Sequence, residues 1–217
     1  MDLSKVRTRE EIIARFKDGQ TIAIGGQTAS SMPERLIDCI LDSGARHLTL
    51  YCIDTSDPGC GIGRLIHAGV VDGLITTHIG TNPETNAQIQ SGKIKAEFDP
   101  MGTFIERIRC GGMGLGGVLT RTGLGTVVQE GKQVIHVNGQ DYLLETALRA
   151  DVAITRCRRA DPFGNMAFRG STGRASHPII ATCGDLSIAE VDHFCDLGEI
   201  SPEEVEVAGM FVDMLLV

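Results

Sequence analysis

The first half of the chain alternates short apolar runs with segments whose apolar residues fall at helical spacing. The runs at residues 22–24 and 48–53 are mostly apolar or β-branched with little alternation, which is typical of strands covered on both faces, and residues 74–78 and 96–98 predict two further strands. Strand, turn and helix start follow one another three times, and this order favours parallel strands joined by helical crossovers. The pattern therefore predicts a three-layer α/β fold, an open and mostly parallel sheet with helices on both faces.

Capping-box spacing, a Ser or Thr followed three residues later by Glu, predicts four helix starts. Pro33 and Pro83 stand just inside two of them, where a proline favours the first helical turn. The helices are predicted to end near residues 16, 43, 91 and 110, and a further short helix is predicted over residues 62–66. The four pairs are Thr8 with Glu11, Ser31 with Glu34, Thr81 with Glu84, and Thr103 with Glu106.

The second half predicts a β-hairpin and several shorter strands. Two apolar runs, 133–137 and 142–144, flank Asn138-Gly139, a pair that suits a type I′ turn. The glycine-rich residues 111–117 predict a mobile loop near a ligand. We expect a single domain over residues 1–217, because this length can bury one substantial core. Shorter strands are predicted over residues 152–155, 166–168, 179–181, 186–191 and 210–217.

Charge and composition narrow the class of function. The 217 residues carry a formal net charge of −8, which argues against a general nucleic-acid binder. The charged residues 1–7 do not resemble a signal peptide, and no apolar run is long enough to predict a membrane span. The seven cysteines form no C-x-x-C pair, so we expect reduced thiols in a cytoplasmic protein.

The glycine pair Gly25-Gly26 ends the first predicted strand, at the sheet edge where open α/β folds bind ligands. The pair either lets a ligand approach free backbone N–H groups or only makes a tight turn from strand to helix. Composition alone leaves both interpretations open.

Several familiar site motifs are incomplete in this chain. Gly112-x-Gly114-x-x-Gly117 has the spacing of a dinucleotide fingerprint, but it follows a predicted helix instead of a strand. His193 and Cys195 have no second pair at metal-ligand spacing, and no Gly-x-Ser-x-Gly elbow occurs. Nicotinamide, flavin, metal and serine-hydrolase chemistry are therefore not expected.

Motifs that occur in order along the whole chain resemble those of family I coenzyme A transferase α subunits, of the acetate and acetoacetate class. The first comprises Asp18-Gly19, an apolar strand, Gly25-Gly26 and Pro33. Within it Gln27 stands where the family has Phe, and Ser31 stands where it has Gly. The other blocks are residues 79–85, 102–112, 122–126, 130–132, 138–145 and 161–165.

This resemblance implies a fold, a reaction and a partner. The fold is the three-layer sheet of the CoA-transferases with a β-hairpin excursion. The reaction moves CoA from a short-chain acyl-CoA to a carboxylic acid through a glutamate that carries CoA as a thioester. That glutamate belongs to the β subunit in the family, so the chain is expected to act only in a complex, of α2β2 type. The CoA thioester is then a substrate, and no permanently bound cofactor is expected.

The resemblance also implies which residues bind CoA and the acid: Gly25, Gly26, Gln27, Thr28, Ala29, Ser30, Ser31, Asp54, Met101, Gly112 and Gly114. Met101 stands where the family usually has Gln, which leaves the accepted acid open. The cluster of Arg156, Arg158 and Arg159 either neutralises phosphates of a ligand such as CoA or lies solvated at a strand end.

Two other functions stay open on the sequence. A sugar-phosphate isomerase on a related sheet would turn over its substrate as a single polypeptide. A non-catalytic CoA-binding relative would bind CoA or a partner without exchange, and its altered positions Gln27, Ser31 and Met101 would mark the lost activity.

Overall fold

The computed structural model describes residues 4–217, and in that range an eight-stranded sheet forms the centre of the molecule. Seven strands run parallel in the order β11-β10-β8-β1-β2-β3-β4, and β9 pairs antiparallel with β8. A small antiparallel sheet has the order β5-β7-β6. The strands are β1 (Thr21–Ile24), β2 (Leu48–Asp54), β3 (Val71–His78), β4 (Lys95–Phe98), β5 (Gly117–Thr120), β6 (Val134–Val137), β7 (Gln140–Thr146), β8 (Ala150–Ala160), β9 (Met166–Ala167), β10 (Gly184–Phe194) and β11 (Met214–Leu216).

Helices cover both faces of the central sheet. Ile22 and Ile24 of β1 lie in one buried cluster with residues of α2 and α3, whereas Ala23 lies in another with residues of α5 and α6. Successive residues of a strand point to opposite faces, so this division follows directly from the strand geometry. The predicted three-layer α/β fold is confirmed. The helices are α1 (Arg9–Ile13), α2 (Glu34–Ser43), α3 (Ile62–His67), α4 (Pro83–Gln90), α5 (Met101–Gly112) and α6 (Gly170–Ile180).

The sheet order reverses between β1 and β8. Strands β2, β3 and β4 extend from one side of β1, and β8, β10 and β11 extend from the other. Loops that leave the carboxyl ends of β1 and β8 therefore separate there and open a crevice, which is where open α/β sheets bind ligands.

The predicted hairpin is confirmed and is joined to the main domain through a buried arginine. Asn138 and Gly139 have φ values of 51° and 77°, as a type I′ turn requires. Arg107 of α5 donates from Nε to the Thr146 carbonyl at 2.8 Å and from Nη1 to the Asp99 carboxylate at 2.6 Å. Burial raises the pKa of Asp99, although the arginine beside it opposes the shift.

Of the four predicted capping boxes, the structure contains the one at Thr8 and Glu11. The helix it opens ends earlier than predicted, at Ile13. Helix α2 begins after Pro33 without a side-chain cap, and the Glu34 carboxylate accepts from the Gly61 N–H at 2.7 Å instead. Because Pro33 is the N-cap, Ser31 lies outside the helix and Glu34 is its first residue, so the predicted capping box is wrong.

The other two capping boxes are also wrong. Asn82 caps α4 in place of Thr81, because its side chain accepts from the N–H groups of Glu84 and Thr85. Helix α5 begins at Met101, so Thr103 lies inside the first turn.

Two longer segments differ from the sequence-based expectation. Helix α5 continues to Gly112, so the start of the predicted loop 111–117 is helical. Residues 179–181, predicted as a strand, form the end of α6, which contains Pro178 in its interior. Packing against the sheet overrides the weak local preference in both segments.

All seven cysteines in the described residues are unpaired, and every one except Cys60 is buried. Burial raises the pKa of the Cys52 thiol to about 12. Within residues 4–217 no helix combines the length and the apolar character needed to cross a membrane. The expectation about a signal peptide rests partly on residues 1–3, which lie outside the described residues.

Candidate functional site

A cavity of about 440 Å³ opens at the carboxyl ends of β1, β2 and β3. Helix α5 closes one side of it, with Met101 46% exposed at the rim. This is the edge of the sheet at which the sequence predicted a ligand site. The lining residues are Gln27, Thr28, Ile53, Asp54, Thr77, His78, Thr81, Asp99, Pro100 and Met101.

The glycine pair that precedes this cavity does not offer free backbone donors. The Gly25 N–H donates to the Ile154 carbonyl at 2.9 Å, and the Gly26 N–H donates to the Ser176 hydroxyl at 3.1 Å. A Cβ atom at Gly25 would lie 2.8 Å from Cε1 of His177 and closer still to Nδ1. Gly25 is therefore required by close packing, and the expectation of free N–H groups at this pair is wrong.

The turn of residues 27–30, which follows the glycine pair, is held by Asp54. The Asp54 carboxylate accepts from the Thr28 N–H at 2.7 Å and from the Ser56 N–H at 2.8 Å, and the residue is only 3% exposed. Thr28 and Ser31 both have left-handed φ values, 54° and 61°, which cost energy in a residue with a side chain. The buried carboxylate thus fixes a strained turn at the mouth of the cavity.

His177 holds the same segment from the other side. Its Nε2 donates to the Ser31 carbonyl at 2.9 Å, and its Nδ1 accepts from the Arg156 backbone N–H at 3.2 Å. The ring is stacked on Phe168 with its centroid 5.9 Å away, and it is fully buried. Burial lowers the pKa of His177 to about 4, so the imidazole is neutral near pH 7 and both nitrogens are used. Sequence reasoning missed this residue because α6 was not predicted.

A second cavity, of about 370 Å³, lies on the other side of the turn, between Ser31 and the start of α6. Arg156 lines it and is engaged by the Asp192 carboxylate, at 2.8 Å from Nε. Arg158 lines it as well, whereas Arg159 pairs with Glu204 at 2.9 Å elsewhere. Arg158 and Arg159 also line a neighbouring cavity of about 270 Å³ together, so the three arginines of the predicted cluster differ in their ion-pair partners and are shared between two cavities.

The structure brings most of the predicted site residues together around one turn. Gln27, Thr28, Asp54 and Met101 line the first cavity, and Ser30 and Ser31 line the second. Ala29 is exposed at the tip of the turn, directly after Gly25, Gly26, Gln27 and Thr28.

Gly112 and Gly114 lie at the opposite end of the sheet. A Cβ atom at Gly112 would overlap Thr182, which precedes β10, because α5 runs back from the carboxyl edge to the amino edge. Neither glycine lies near the turn of residues 27–30, and the glycine-rich residues 111–117 are at the opposite end of the sheet from it. Within residues 4–217 no three His, Cys, Asp or Glu side chains are grouped closely enough to hold a metal ion.

Comparison with known proteins decides the family. The sequence model of the coenzyme A transferases matches residues 6–217. The chain belongs to the coenzyme A transferase family. This transferase is 44% identical to the acetate CoA-transferase subunit alpha of Escherichia coli K12, over 99% of the chain and 97% of that protein. It is 38% identical to the acetoacetyl-CoA:acetate/butyrate CoA transferase alpha subunit of Clostridium acetobutylicum, over 98% of the chain and 97% of that protein.

The fold of this transferase also matches solved structures. An acyl-CoA transferase from Escherichia coli O157:H7, crystallised as a thioester complex with CoA, superposes with a TM-score of 0.86 at 20% identity. The match covers 99% of the chain and 47% of that protein, so the chain spans about half the length of that structure. At this identity the likeness supports the fold.

Proposed function

We propose that this chain is the α subunit of a short-chain acyl-CoA:carboxylate CoA-transferase and provides half of the CoA and acid site. Its end-to-end similarity to the acetate and acetoacetyl-CoA transferase α subunits supports this assignment. The acyl donors and acceptors are of the acetate, acetoacetate and butyrate class. This family membership removes the support for a sugar-phosphate isomerase.

The roles of the two subunits are inferred from the carboxylates that line the two cavities, because each of them already has a hydrogen-bond or ion-pair partner. Both Asp54 oxygens accept backbone N–H groups, and Asp99 is buried against the Arg107 guanidinium. In the second cavity Asp192 pairs with Arg156. A carboxylate that attacks an acyl-CoA must be free to form a covalent bond, and each of these three is already used. We therefore assign the nucleophilic glutamate to a β subunit.

The chemistry of the complex then proceeds in two matched halves. The β-subunit glutamate attacks the thioester carbonyl and displaces CoA thiolate, which leaves an acyl-glutamyl anhydride. The thiolate attacks the glutamyl carbonyl and releases the first acid as its carboxylate, so that CoA is held as a glutamyl thioester. The second acid reverses these steps, and no oxidant or metal is needed.

The contribution of the α subunit is to hold the reactants beside that glutamate. The turn of residues 27–30, held by Asp54, and Ser31 after it, held by His177, form the wall between the two cavities. Met101 presents an apolar side chain at the rim, which favours the alkyl part of a short acid. CoA binds as a thioester substrate. The unpaired thiols support a cytoplasmic location for the complex.

The test is CoA exchange from acetoacetyl-CoA or butyryl-CoA to acetate, with this chain alone and with a co-expressed β subunit. We expect exchange only in the mixture, and borohydride reduction of the acyl-enzyme should trap a glutamyl thioester on the β subunit. Exchange by the α chain alone would overturn the assignment. If an intact complex binds CoA but shows no CoA exchange with any of several acids, the result would favour a non-catalytic relative.

A further inference from the structure

The second cavity is basic, although the chain as a whole is acidic. Arg158 and Arg169 line it, and among the described residues neither guanidinium has a carboxylate partner or a hydrogen bond. Arg156 also lines it, but its charge is offset by Asp192 at 2.8 Å and by Glu190 at 3.6 Å. Two arginines without an ion-pair partner among the described residues therefore line one cavity of about 370 Å³, and Arg158 also borders a neighbouring cavity lined by Glu203, Glu204 and Glu206.

Uncharged donors surround the same space. Helix α6, 11 residues long, begins there at Gly170, and its N-terminus has no side-chain cap. The first-turn hydroxyls of Ser171 and Thr172 line the cavity with the uncapped backbone. On the facing wall, Ser31 lines the cavity, but its hydroxyl oxygen is almost inaccessible to solvent. The uncapped helix N-terminus therefore supplies the backbone hydrogen bonds that a ligand would complete.

We propose that this cavity binds a phosphoryl group. Paired guanidinium groups match the geometry of phosphate oxygens, and a helix N-terminus adds donors and partial positive charge on the same side. A carboxylate ligand would need fewer donors than the cavity supplies. The Asp192 carboxylate in the lining is held by Arg156, which keeps its charge compensated.

The position of the cavity suggests which phosphoryl group it takes. Gln27 and Thr28 line the first cavity, and Ser30 and Ser31 line the second, so the two lie on opposite sides of one short turn. An elongated ligand can place its reacting end in the first and a phosphate in the second. If the chain has the function proposed above, that phosphate is one of the phosphates of CoA. A free phosphate or nucleotide is the other source with the same chemistry.

The experiment uses the co-expressed αβ complex and the variants Arg158→Ala, Arg169→Ala and the double variant. Arg46→Ala is the matched control, because Arg46 is an exposed arginine between α2 and β2, at the amino edge of the sheet. Arg158→Lys keeps the charge but not the bidentate geometry. Titration calorimetry measures binding of inorganic phosphate and of adenosine 3′,5′-bisphosphate. Exchange kinetics compare acetoacetyl-CoA with acetoacetyl-pantetheine, which carries no phosphate.

Each Ala variant is expected to weaken binding of the bisphosphate about tenfold or more, as loss of a charge-assisted hydrogen bond does, and Arg158→Lys should lose less. If CoA is the source, KM rises for acetoacetyl-CoA and stays unchanged for acetoacetyl-pantetheine. If phosphate binding weakens while both KM values stay unchanged, the site is real and serves a free phosphate or nucleotide. Bisphosphate and phosphate binding equal to that of Arg46→Ala would overturn the proposal. Calorimetry decides this even if the complex transfers no CoA.

Discussion

Replacing Gly25 by Ala tests whether this glycine serves the packing of His177 or the approach of a ligand. The added Cβ would lie 2.8 Å from Cε1 and closer to Nδ1, whereas ordinary van der Waals contact begins at 3.4 Å. The ring cannot turn away without losing the bonds to the Ser31 carbonyl and the Arg156 N–H. Overpacking at a site this rigid costs about 2–3 kcal/mol.

Urea unfolding of the full chain at fixed concentration, followed by circular dichroism, measures this cost. With a slope of about 2 kcal/mol/M, the midpoint should fall by about 1 M. Gly102→Ala is the matched control, because a Cβ at Gly102 meets nothing within 4 Å and the residue is helical. Its unfolding free energy should stay the same or rise by up to about 1 kcal/mol, because alanine favours a helix more than glycine does.

A double-mutant cycle identifies the group responsible. In a His177→Ala background the ring is gone, so Gly25→Ala should cost less than about 1 kcal/mol and the coupling energy should be about 1–3 kcal/mol. An equal cost in both backgrounds would refute the steric explanation. So would a Gly25→Ala protein of unchanged stability that has lost CoA exchange, because that result would assign the glycine to ligand approach.

Three further predictions follow from the buried polar groups. Burial lowers the pKa of His177 to about 4 from an ordinary 6.5. The contribution of the neutral ring to stability is therefore complete above pH 6.5 and is lost as the pH falls towards 4. In urea unfolding, the advantage of the wild type over His177→Gln should shrink by up to about 3 kcal/mol between these two pH values. Arg107→Ala should lower the unfolding free energy by about 3–5 kcal/mol, because the buried Asp99 carboxylate then keeps only Lys132, at 3.8 Å, as a charged partner; the loss should be smaller when Asp99→Asn is also present, and equal costs would contradict the pairing. Asp54→Ala frees the turn at Thr28, and kcat/KM of the αβ complex should fall about tenfold or more, with a smaller loss for Asp54→Asn; unchanged kinetics would remove Asp54 from the site.

The sheet could be predicted from the sequence because its central strands have a characteristic apolar composition. Residues 22–24 and 48–53 are continuous apolar runs, and a strand buried on both faces needs that composition. The Asn138-Gly139 turn was equally readable, since few other pairs adopt two consecutive left-handed conformations.

Helix α6 could not be read in this way. Its segment contains Gly170, Gly173 and Pro178, all poor helix formers, and contact with α5 and β8 stabilises it. With α6 missed, His177 could not be placed. Asp54 was assigned to ligand binding through the family resemblance, and its two backbone partners could not be predicted because they lie in loops whose approach is a tertiary property.

The central position of β1 has a consequence for how the chain reaches its native state. β1 pairs with β2, which follows it closely in the chain, but its other neighbour is β8, where Val152 lies opposite Ile22. At ribosomal rates of about 5–20 residues per second, β8 is made on the order of ten seconds after β1. Until then the half-sheet of β1 to β4 exposes the edge of β1, whose unpaired backbone N–H and C=O groups can form hydrogen bonds with other chains. We therefore expect slow folding with an aggregation-prone intermediate, which ends when β8 closes the sheet.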